Sequence, residues 1–471
     1  MFDPSPIPPR PNIVFVLIDD MGWKDLASYG SDFYETPNLD RLASGGMTFT
    51  DAYASCPVCS PTRASCLTGR YPARLGLTQW VGGHTVGRLQ DVPYHHALPL
   101  SEMTSASVLR DAGYQTWHVG KWHLGPRQAW PEKHGFEVNI GGCDWGQPNK
   151  GYFSPYGIPG LRDGPEGEYL TDRLTDEAID LIKERDPARP FFLNLWHYAV
   201  HTPIQAPEAL IEKYRQKAKH LGLDQKKTFE EGDFFPCAHK RDQRIERRLL
   251  QSDPAYAAMV ENLDTNIGRL IDALDAAGAG QDTLIIFTSD NGGLSTAEGS
   301  PTCNAPLSEG KGWMYEGGTR EPLIVSWPGR IEAGTASAVP VTSTDFFPTI
   351  LEAAGLPLRS DLHADGISLM PLLSGTGDLD REAIFWHYPH YANQGDTPGC
   401  SVRAGDWKLI EYFEDGRLEL YNLVEDIGED QNRAESDPET TTRLKAMLDA
   451  WKKSIGAVIP KPNPNWVANK P

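Results

Sequence analysis

The sequence is short of positive charge and of cysteine for its length. Lys and Arg number 44 against 64 Asp and Glu, so the 471 residues carry a formal net charge of −20. Because phosphate backbones are bound by clustered cations, this balance argues against a nucleic-acid-binding protein, although it is compatible with a local basic pocket. Seven irregularly spaced cysteines do not form a disulfide framework.

Long apolar runs are also missing. No stretch of about 18 apolar residues occurs, so we expect no membrane-spanning helix. The first residues, Met1 to Pro6, lack the basic and apolar regions of a signal peptide. The compartment stays open: periplasmic or secreted if a signal was removed, otherwise cytoplasmic. The oligomeric state is equally open.

Strand and helix patterns alternate along most of the chain. Continuous apolar and β-branched runs predict buried strands at 12–18, 114–119, 190–196, 283–288 and 323–327. Apolar residues at three- and four-residue steps predict amphipathic helices at 171–185 and 256–274. The alternation predicts an α/β fold with a large, mainly parallel sheet flanked by helices, and ligands in such sheets gather beyond the carboxyl ends of the strands.

After about Gly375 the pattern changes. Segments 401–410 and 418–423 predict two strands joined through a turn at 414–416, and 440–455 predicts a closing amphipathic helix. We therefore predict a large α/β domain at 1–375 and a smaller C-terminal α+β domain with an antiparallel sheet at 376–471.

Two further segments do not follow either pattern. The charged stretch from 210 to 250 is interpreted as an exposed insertion whose charges are solvated. The proline-rich end, 460–471, is interpreted as a loosely ordered arm.

Cys59 opens the most informative stretch of the chain. The run from Cys59 to Arg70 has the form C-x-P-x-R-x-x-x-L-T-G-R, and neither Cys56 nor Cys66 has a proline two residues on. An alternative is that Cys56 and Cys59 form a C-x-x-C redox or zinc pair. A structural zinc site normally takes four ligands from two such pairs, and the sequence has no second pair.

Acidic residues follow two of the predicted strands. Asp19 and Asp20 follow the first strand, and Asp290 and Asn291 lie just beyond the strand at 283–288. Hard oxygen donors of this kind suit Ca²⁺, or less well Mg²⁺, rather than Zn²⁺. Each pair alone could simply cap a helix. Two pairs at one sheet edge, in a chain with the Cys59 motif, favour a metal site.

Cations and histidines lie in loops near the same sheet edge. Lys121 and Lys311 stand beside glycines, which allow close approach of a bound anion. Arg63 lies about one helical turn after the motif cysteine and could orient nearby carboxylates. His123 and His201 follow predicted strands, and histidine titrates close enough to neutral pH to transfer protons. Taken singly, each would be an ordinary surface or structural residue.

Together these motifs resemble the type I, formylglycine-dependent sulfatases of the alkaline phosphatase superfamily, which include the arylsulfatases. The resemblance covers nearly the whole chain, and the matching motifs occur in the family's order: Ile18–Gly22, Thr36–Ala43, the Cys59 motif, Gly120–His123, His201–Pro203, Ser289–Gly292, Gly310–Gly312 and Tyr315–Pro322.

The resemblance implies a cofactor set and a mechanism. A maturation enzyme would oxidise Cys59 to formylglycine, and one hydroxyl of the hydrated aldehyde would attack sulfur. One calcium ion is implied, with the oxygen of the modified Cys59 and four side chains as ligands: Asp19, Asp20, Asp290 and Asn291. The implied sulfate pocket consists of Arg63, Lys121, His123, His201 and Lys311. His201 would protonate the leaving oxygen, and His123 would take a proton from the second hydroxyl so that sulfate is expelled.

The expected substrate is an exo-positioned sulfated sugar such as a galactose or N-acetylgalactosamine unit, with aryl sulfates as surrogates. Segment 130–173 looks similar to bacterial exo-sulfatases that act on sulfated polysaccharides. Sugar contacts are predicted in three loops rich in aromatic and polar residues, at 144–145, 152–156 and 387–391. The residues singled out in them are Asp144, Trp145 and His387.

Two other activities are alternatives. A phosphodiesterase or phosphonate monoester hydrolase of the same superfamily would often hold two metals through extra His and Asp ligands, and here Asn291 stands where Asp-His would be expected. A catalytically silent calcium- and glycan-binding homologue would be expected to lose the nucleophile or the lysines, and Cys59, Lys121 and Lys311 are all present.

Overall fold

The computed structural model describes residues 10–467, which contain fifteen strands and eleven α-helices. The strands, β1 to β15 in chain order, are Asn12–Ile18, Met47–Tyr53, Gln115–Gly120, Val138–Ile140, Phe191–Trp196, Phe229–Phe234, Arg244–Arg248, Thr283–Ser289, Arg320–Ser326, Thr335–Ser337, Val341–Thr342, Ile384–Tyr388, Gly399–Ala404, Trp407–Tyr412 and Leu418–Asn422. The helices, α1 to α11, are Pro37–Ser44, Cys59–Thr68, Pro72–Leu75, Ser105–Asp111, Leu170–Glu184, Glu208–His220, Pro254–Ala276, Glu316–Thr319, Phe346–Ala353, Met370–Leu373 and Pro438–Ser454.

The largest sheet has nine strands in the order β10-β2-β9-β8-β1-β5-β3-β4, with β11 also paired to β2. Its centre, β8-β1-β5-β3-β4, is parallel throughout, and β9 runs antiparallel to both β8 and β2. The predicted mainly parallel sheet is therefore confirmed. The sequence did not predict β2, and the apolar run that became β9 carried no sign of its reversed direction.

Strand β1 shows why the sheet is buried on both faces. Val14, Val16 and Ile18 pack on one side with helices α5 and α7, while the alternate side chains pack on the other side with α2, α4 and α9. A strand covered on both faces needs a continuous apolar run rather than an alternating one, and 12–18 has such a run. The predicted helices correspond closely to α5 and α7.

Strands β12 to β15 form a separate antiparallel sheet, and α11 packs against it through Leu444 and Leu448. The predicted C-terminal antiparallel sheet and its closing helix are confirmed. The segment at 401–410 is two strands, β13 and β14, because Gly405 adopts a positive φ of 58° and reverses the chain. The domain boundary at 375 stays a prediction.

The charged segment at 210–250 contains most of α6 and the antiparallel hairpin β6–β7, which the sequence did not predict. At the other end of the chain, Lys461 and Asn463 bond to the backbone of Gln90 and Arg88. That part of the predicted loose arm is therefore fixed, while 468–471 lie outside the described residues, as do Met1 to Pro6. Within 10–467, none of the helices combines the length and apolar character needed to cross a membrane.

Candidate active site

The predicted site residues meet at one edge of the large sheet. Strands β8, β1, β5 and β3 are parallel neighbours, so their carboxyl ends lie side by side. The chain segments that leave these ends carry seven of the predicted residues: Asp19, Asp20, Lys121, His123, His201, Asp290 and Asn291. Helix α2 and the loop before α8 add Cys59, Arg63 and Lys311.

Cys59 is the first residue of α2 and lies against His123. Its Sγ is 3.3 Å from His123 Nδ1, while His123 Nε2 is 3.2 Å from the carbonyl oxygen of Val81. This arrangement assigns the ring proton to Nε2, which donates it to Val81, and leaves the Nδ1 lone pair facing position 59. Burial, reinforced by Lys121, holds the pKa of His123 well below its usual range, so the ring is neutral and can accept a proton.

The two cysteines of the C-x-x-C sequence do not have the properties of a reactive redox pair. Burial raises the pKa of Cys56 and of Cys59, and both are free thiols. Redox-active cysteines require a stabilised thiolate. The environment of Cys59 therefore gives no support to the redox alternative.

Three buried cations alternate with three buried carboxylates behind Cys59. Arg63 Nε lies 2.7 Å from Asp290 Oδ2, and Lys121 Nζ lies 2.6 Å from Asp19 Oδ2. Lys311 Nζ lies 2.8 Å from an oxygen of the third carboxylate, Asp20. A buried ion is tolerated only when it is paired, so the network fixes the positions of all six side chains.

The pKa values of the two neighbouring aspartates move in opposite directions. Burial raises the pKa of Asp20, but Lys311 and His201 outweigh it and hold the pKa well below its usual range. Burial dominates at Asp19 and raises its pKa even though Lys121 opposes the shift. Extra positive charge beside Asp19 would favour its ionised form.

The oxygen atoms of the site fit a hard divalent cation. Asp19 Oδ1 and Asn291 Oδ1 are buried and have no hydrogen-bond partner. Asn291 Nδ2 donates to Asp20 Oδ1 at 2.8 Å, and the Asp20 amide donates to Asp290 Oδ1 at 3.3 Å, so all four predicted ligands meet. Unpartnered buried oxygens are costly, and Ca²⁺ or Mg²⁺ would satisfy them.

His201 also stands within reach of a metal. Asp19, Asp20 and His201 place ligand atoms within 4.8 Å of one another, and no other set of three or more His, Cys, Asp and Glu residues in 10–467 has such spacing. His201 Nδ1 is 2.9 Å from the carbonyl oxygen of Thr202, which leaves Nε2 directed at Asp20. Burial and Lys311 lower the pKa of His201 to about 4.

A cavity of about 400 Å³ opens above these residues. Cys59, His123, His201 and Lys311 line it, while Arg63 and Lys121 are fully buried beneath. The predicted sugar contacts Asp144 and Trp145 also line the cavity. The site therefore has a cationic and carboxylate-rich base and an open upper wall.

His387 is not brought to the cavity. It belongs to β12, is buried, and its Nε2 lies 3.1 Å from the carbonyl oxygen of Val458. Nor do the tyrosines of 152–156 contact the cavity: the hydroxyl of fully buried Tyr152 donates to the carbonyl oxygens of Tyr198 and His201. Tyr152 supports the His201 loop from below. Apolar surroundings hold these side chains inward, which their residue types alone did not reveal.

Part of the cavity wall was not predicted from the sequence. Trp80, Glu298, Asn393 and Gln394 line it, and they come from three loops far apart in the chain. None of them belongs to a recognisable motif. The only local signal was the Glu-Gly-Ser turn at 298–300, which is typical of an exposed loop.

The sequence matches two protein-family models. The one described as Sulfatase matches residues 11–356, and the one described as N-sulphoglucosamine sulphohydrolase, C-terminal, matches residues 309–454. The first match covers the large sheet and all of the predicted nucleophile, metal and sulfate-pocket residues, while the wall residues Asn393 and Gln394 lie within the second match only. The second overlaps its end and extends through the antiparallel sheet.

Individual proteins match over most of the chain. N-acetylgalactosamine-6-sulfatase of Homo sapiens is 34% identical over 417 residues, which cover 83% of this chain and 70% of that protein. Arylsulfatase A of Homo sapiens is 32% identical over 508 residues, which cover 95% of this chain and 89% of that protein. The crystal structure of Ps i-CgsB in complex with k-i-k-neocarrahexaose superposes with a TM-score of 0.75 at 26% identity, covering 98% of this chain and 95% of that one.

Proposed function

The chain belongs to the sulfatase family and is a sulfuric ester hydrolase, and from this premise we propose that it uses a formylglycine made from Cys59, together with one calcium ion, to remove sulfate from a sugar. One observation supports this proposal above the others. The Cys59 side chain lies 3.3 Å from a neutral histidine, beside Lys311 in the same cavity.

The nucleophile would come from modification of Cys59. A formylglycine-generating maturation enzyme acting on the C-x-P-x-R motif, with a two-electron oxidant that it uses, would oxidise the Cys59 side chain to an aldehyde with release of its sulfur. The hydrate of this aldehyde carries two hydroxyls. The Nδ1 lone pair of His123 faces position 59 and would take a proton from a hydroxyl of the hydrate. The Val81 carbonyl accepts the Nε2 proton and so keeps Nδ1 unprotonated. A serine or cysteine alone would remain trapped as a stable sulfate ester.

The reacting sulfate would be held by charge. Lys311 faces the cavity, and its pKa is raised because Asp20 outweighs the effect of burial, so it remains an ammonium ion. Lys121 and Arg63 supply positive charge from beneath. Calcium held by Asp19, Asp20, Asp290 and Asn291 would further stabilise charge on the sulfate oxygens. Preorganised cations of this kind stabilise charge that develops in the transition state.

His201 is placed to protonate the leaving oxygen. It lines the cavity, and because Nδ1 bonds to Thr202, Nε2, which lies 3.5 Å from Asp20 Oδ2, is the nitrogen left to carry the transferable proton. A sulfate ester bound beside His201 brings a negative charge that raises the pKa of the ring from about 4. The protonated Nε2 would then donate to the sugar oxygen as the ester bond breaks, with Lys311 as a second donor.

The proposed substrate is a carbohydrate sulfate of the galactose or N-acetylgalactosamine type. Relatives that are named N-acetylgalactosamine-6-sulfatase support the N-acetylgalactosamine unit. A cavity of about 400 Å³ with Trp80 and Trp145 in its wall suits a single terminal sugar ring packed on aromatic surface. Aryl sulfates would serve as surrogate substrates.

The first test combines mass spectrometry with a sulfate-release assay. Protein coexpressed with a formylglycine-generating enzyme should give a peptide containing residue 59 that is about 18 Da lighter than the unmodified peptide, and should hydrolyse 4-methylumbelliferyl sulfate and N-acetylgalactosamine 6-sulfate. Cys59→Ala should abolish both the mass change and the activity. Cys66→Ala, a buried cysteine on the same helix, is the matched control and should retain both. Hydrolysis by unmodified protein would refute the formylglycine mechanism.

A further inference from the structure

The upper wall of the cavity carries acidic and amide side chains, whereas the base pairs cations with carboxylates. Two exposed carboxylates, Glu298 and Asp144, line it together with amide side chains from Gln147, Asn149, Asn393 and Gln394. Among the lining residues, Lys311 is the only lysine or arginine, and it is already paired with Asp20. The upper wall therefore offers hydrogen-bond acceptors and donors but no free cation.

Glu298 is held in place at this wall. Residues 298, 299 and 300 all have positive φ, at 54°, 89° and 42°, which is unusual for Glu298 and Ser300 because neither is glycine. Gln394 Nε2 donates to Glu298 Oε1 at 2.9 Å, which fixes the carboxylate itself. Such backbone conformations persist only where surrounding structure enforces them.

The surrounding structure is the hairpin β6–β7. The Arg248 amide donates to the carbonyl oxygen of Ser295 at 2.9 Å, and its guanidinium bonds to the carbonyl oxygen of Ser300. The Ser300 hydroxyl donates to the carbonyl oxygen of Glu246 at 2.9 Å. The charged segment at 210–250, for which the sequence predicts solvated charges, thus fixes the turn that presents Glu298 to the cavity.

We propose, on the basis of the proposed function, that Glu298 and Asp144 select a sugar unit whose only anionic group is the sulfate being removed. The substrate class is then a monosulfated hexose or N-acetylhexosamine. Its hydroxyls and amide would donate hydrogen bonds to the two carboxylates and to the neighbouring amide oxygens. A second sulfate, or a uronic acid carboxylate, would lie beside the negative charges of Glu298 and Asp144 and be repelled by them.

The charge distribution supports this selection. Each cation at the base of the cavity already faces a carboxylate, Arg63 with Asp290, Lys121 with Asp19 and Lys311 with Asp20, so none is left to pair with a second anionic group of the sugar. Glu298 lines the same cavity as His201 and Lys311. A protein that binds polysulfated sugars would need further cations at the wall, where this cavity has acids and amides.

The test compares kcat/KM of formylglycine-containing enzyme on mono- and disulfated sugars. The panel is galactose 6-sulfate and the 4-sulfate, 6-sulfate and 4,6-disulfate of N-acetylgalactosamine, with 4-methylumbelliferyl sulfate as a measure of the basic reaction. We expect wild-type enzyme to prefer its better monosulfate over the disulfate by about tenfold or more, the size of a like-charge contact near a protein surface. Added salt should reduce this preference, because salt screens exposed charges.

Variants connect the preference to the two carboxylates. Glu298→Gln and Asp144→Asn keep the shape of the side chain, and each should reduce the ratio of kcat/KM on the monosulfate to that on the disulfate. In the double variant the two kcat/KM values should lie within about twofold of each other. Glu332→Gln, an exposed glutamate remote from the cavity lining, should leave it unchanged.

Different assay results would contradict the selection by Glu298 and Asp144 and the proposed sulfatase mechanism. Equal rates on mono- and disulfated sugars, an unchanged preference in the double variant, or hydrolysis of the aryl sulfate with no monosulfated sugar cleaved would each overturn the inference while leaving sulfate-ester hydrolysis intact. If enzyme with confirmed formylglycine hydrolysed none of the esters, the proposed function itself would be overturned.

Discussion

At the scale of single residues, the site is built by pairing each buried cation with one buried carboxylate. Lys121 has no exposed surface, and its ammonium group lies 2.6 Å from Asp19. Arg63 also lies near that carboxylate, but its guanidinium is farther away, at 3.7 Å. Lys121 is therefore needed both to hold Asp19 and to place positive charge under the reacting sulfate.

Replacing Lys121 should impair turnover strongly. We expect Lys121→Met to lower kcat by about 10²- to 10³-fold, because a preorganised charge is removed from the transition state, and to lower the thermal midpoint because Asp19 loses its closest partner. Steady-state kinetics and calorimetry would measure both. Lys133→Met, an exposed lysine shortly after the same strand, is the control and should change neither. A fall in kcat smaller than about tenfold would contradict the role given to Lys121.

At the scale of elements, loops that leave both sheets shape the cavity. The loop between β12 and β13 carries Asn393 and Gln394, and it is fixed by Asp396, which accepts hydrogen bonds from the amides of Met314 at 2.9 Å and Thr397 at 2.8 Å. Asp396 is fully buried without a cationic partner, and burial raises its pKa to about 8. This carboxyl is therefore protonated at neutral pH in the folded protein.

A buried acid of this kind should make stability fall with rising pH. The folded protein binds the Asp396 proton more tightly than the unfolded chain, where the pKa is about 3.9. The stabilising contribution is therefore complete below about pH 4 and is lost as the pH rises toward 8. Urea unfolding at pH 5 to 8 should show a steeper loss of unfolding free energy for wild type than for Asp396→Asn. Asp415→Asn, in an exposed turn, should keep the wild-type slope, and an equal slope for Asp396→Asn would contradict the assignment.

A second prediction at this scale concerns the hairpin β6–β7. Arg248 is buried, stacks its guanidinium 4.4 Å from the centre of the Phe229 ring, and bonds to the turn that carries Glu298. Arg248→Leu should destabilise the protein by about 1–3 kcal/mol, because the carbonyl oxygen of Ser300 loses its partner, and should increase hydrogen exchange at 295–300. Arg244→Leu, which removes a half-exposed arginine of the same hairpin, is the control. Unchanged exchange in Arg248→Leu would show that the turn holds its conformation without the hairpin.

At the scale of the whole molecule, a buried ionic network joins the antiparallel sheet to the large sheet. Lys408 of β14 lies 2.9 Å from Glu316 of α8 and 3.0 Å from Glu429. Arg320 of β9 contacts the other oxygen of Glu316 at 2.6 Å. Glu316 begins α8 at the end of the loop that carries Lys311, so the network anchors that end of the loop.

Removing the central lysine should weaken the whole protein. Lys408→Met leaves two adjacent buried carboxylates without their shared cation, and we expect a loss of about 3–5 kcal/mol in unfolding free energy. Denaturant unfolding followed by circular dichroism would measure it, with Lys453→Met on the exposed side of α11 as control. A loss below about 1 kcal/mol, the range of exposed pairs, would show that the network contributes little to joining the sheets.

The sequence determined the parts of this protein that depend on local pattern. Apolar runs predicted the central strands, helical periodicity predicted α5 and α7, and ordered motifs predicted the family together with Cys59 and the acidic residues that meet beside it. These features are readable because the chemistry requires given residue types at fixed spacing from a strand or helix end. Strand β2, the hairpin β6–β7 and the direction of β9 were not readable, because pairing partners far along the chain decide them.

Tertiary structure alone decided which residues face the substrate. Asp144 lines the cavity and His387 does not, although both stand in loops or strand ends of similar composition, because burial of a side chain depends on what packs over it. Glu298 became a wall residue only because a distant hairpin and Gln394 hold its turn in place. The motif residues thus identify the reaction, while the folding together of unrelated loops sets the charge around the substrate.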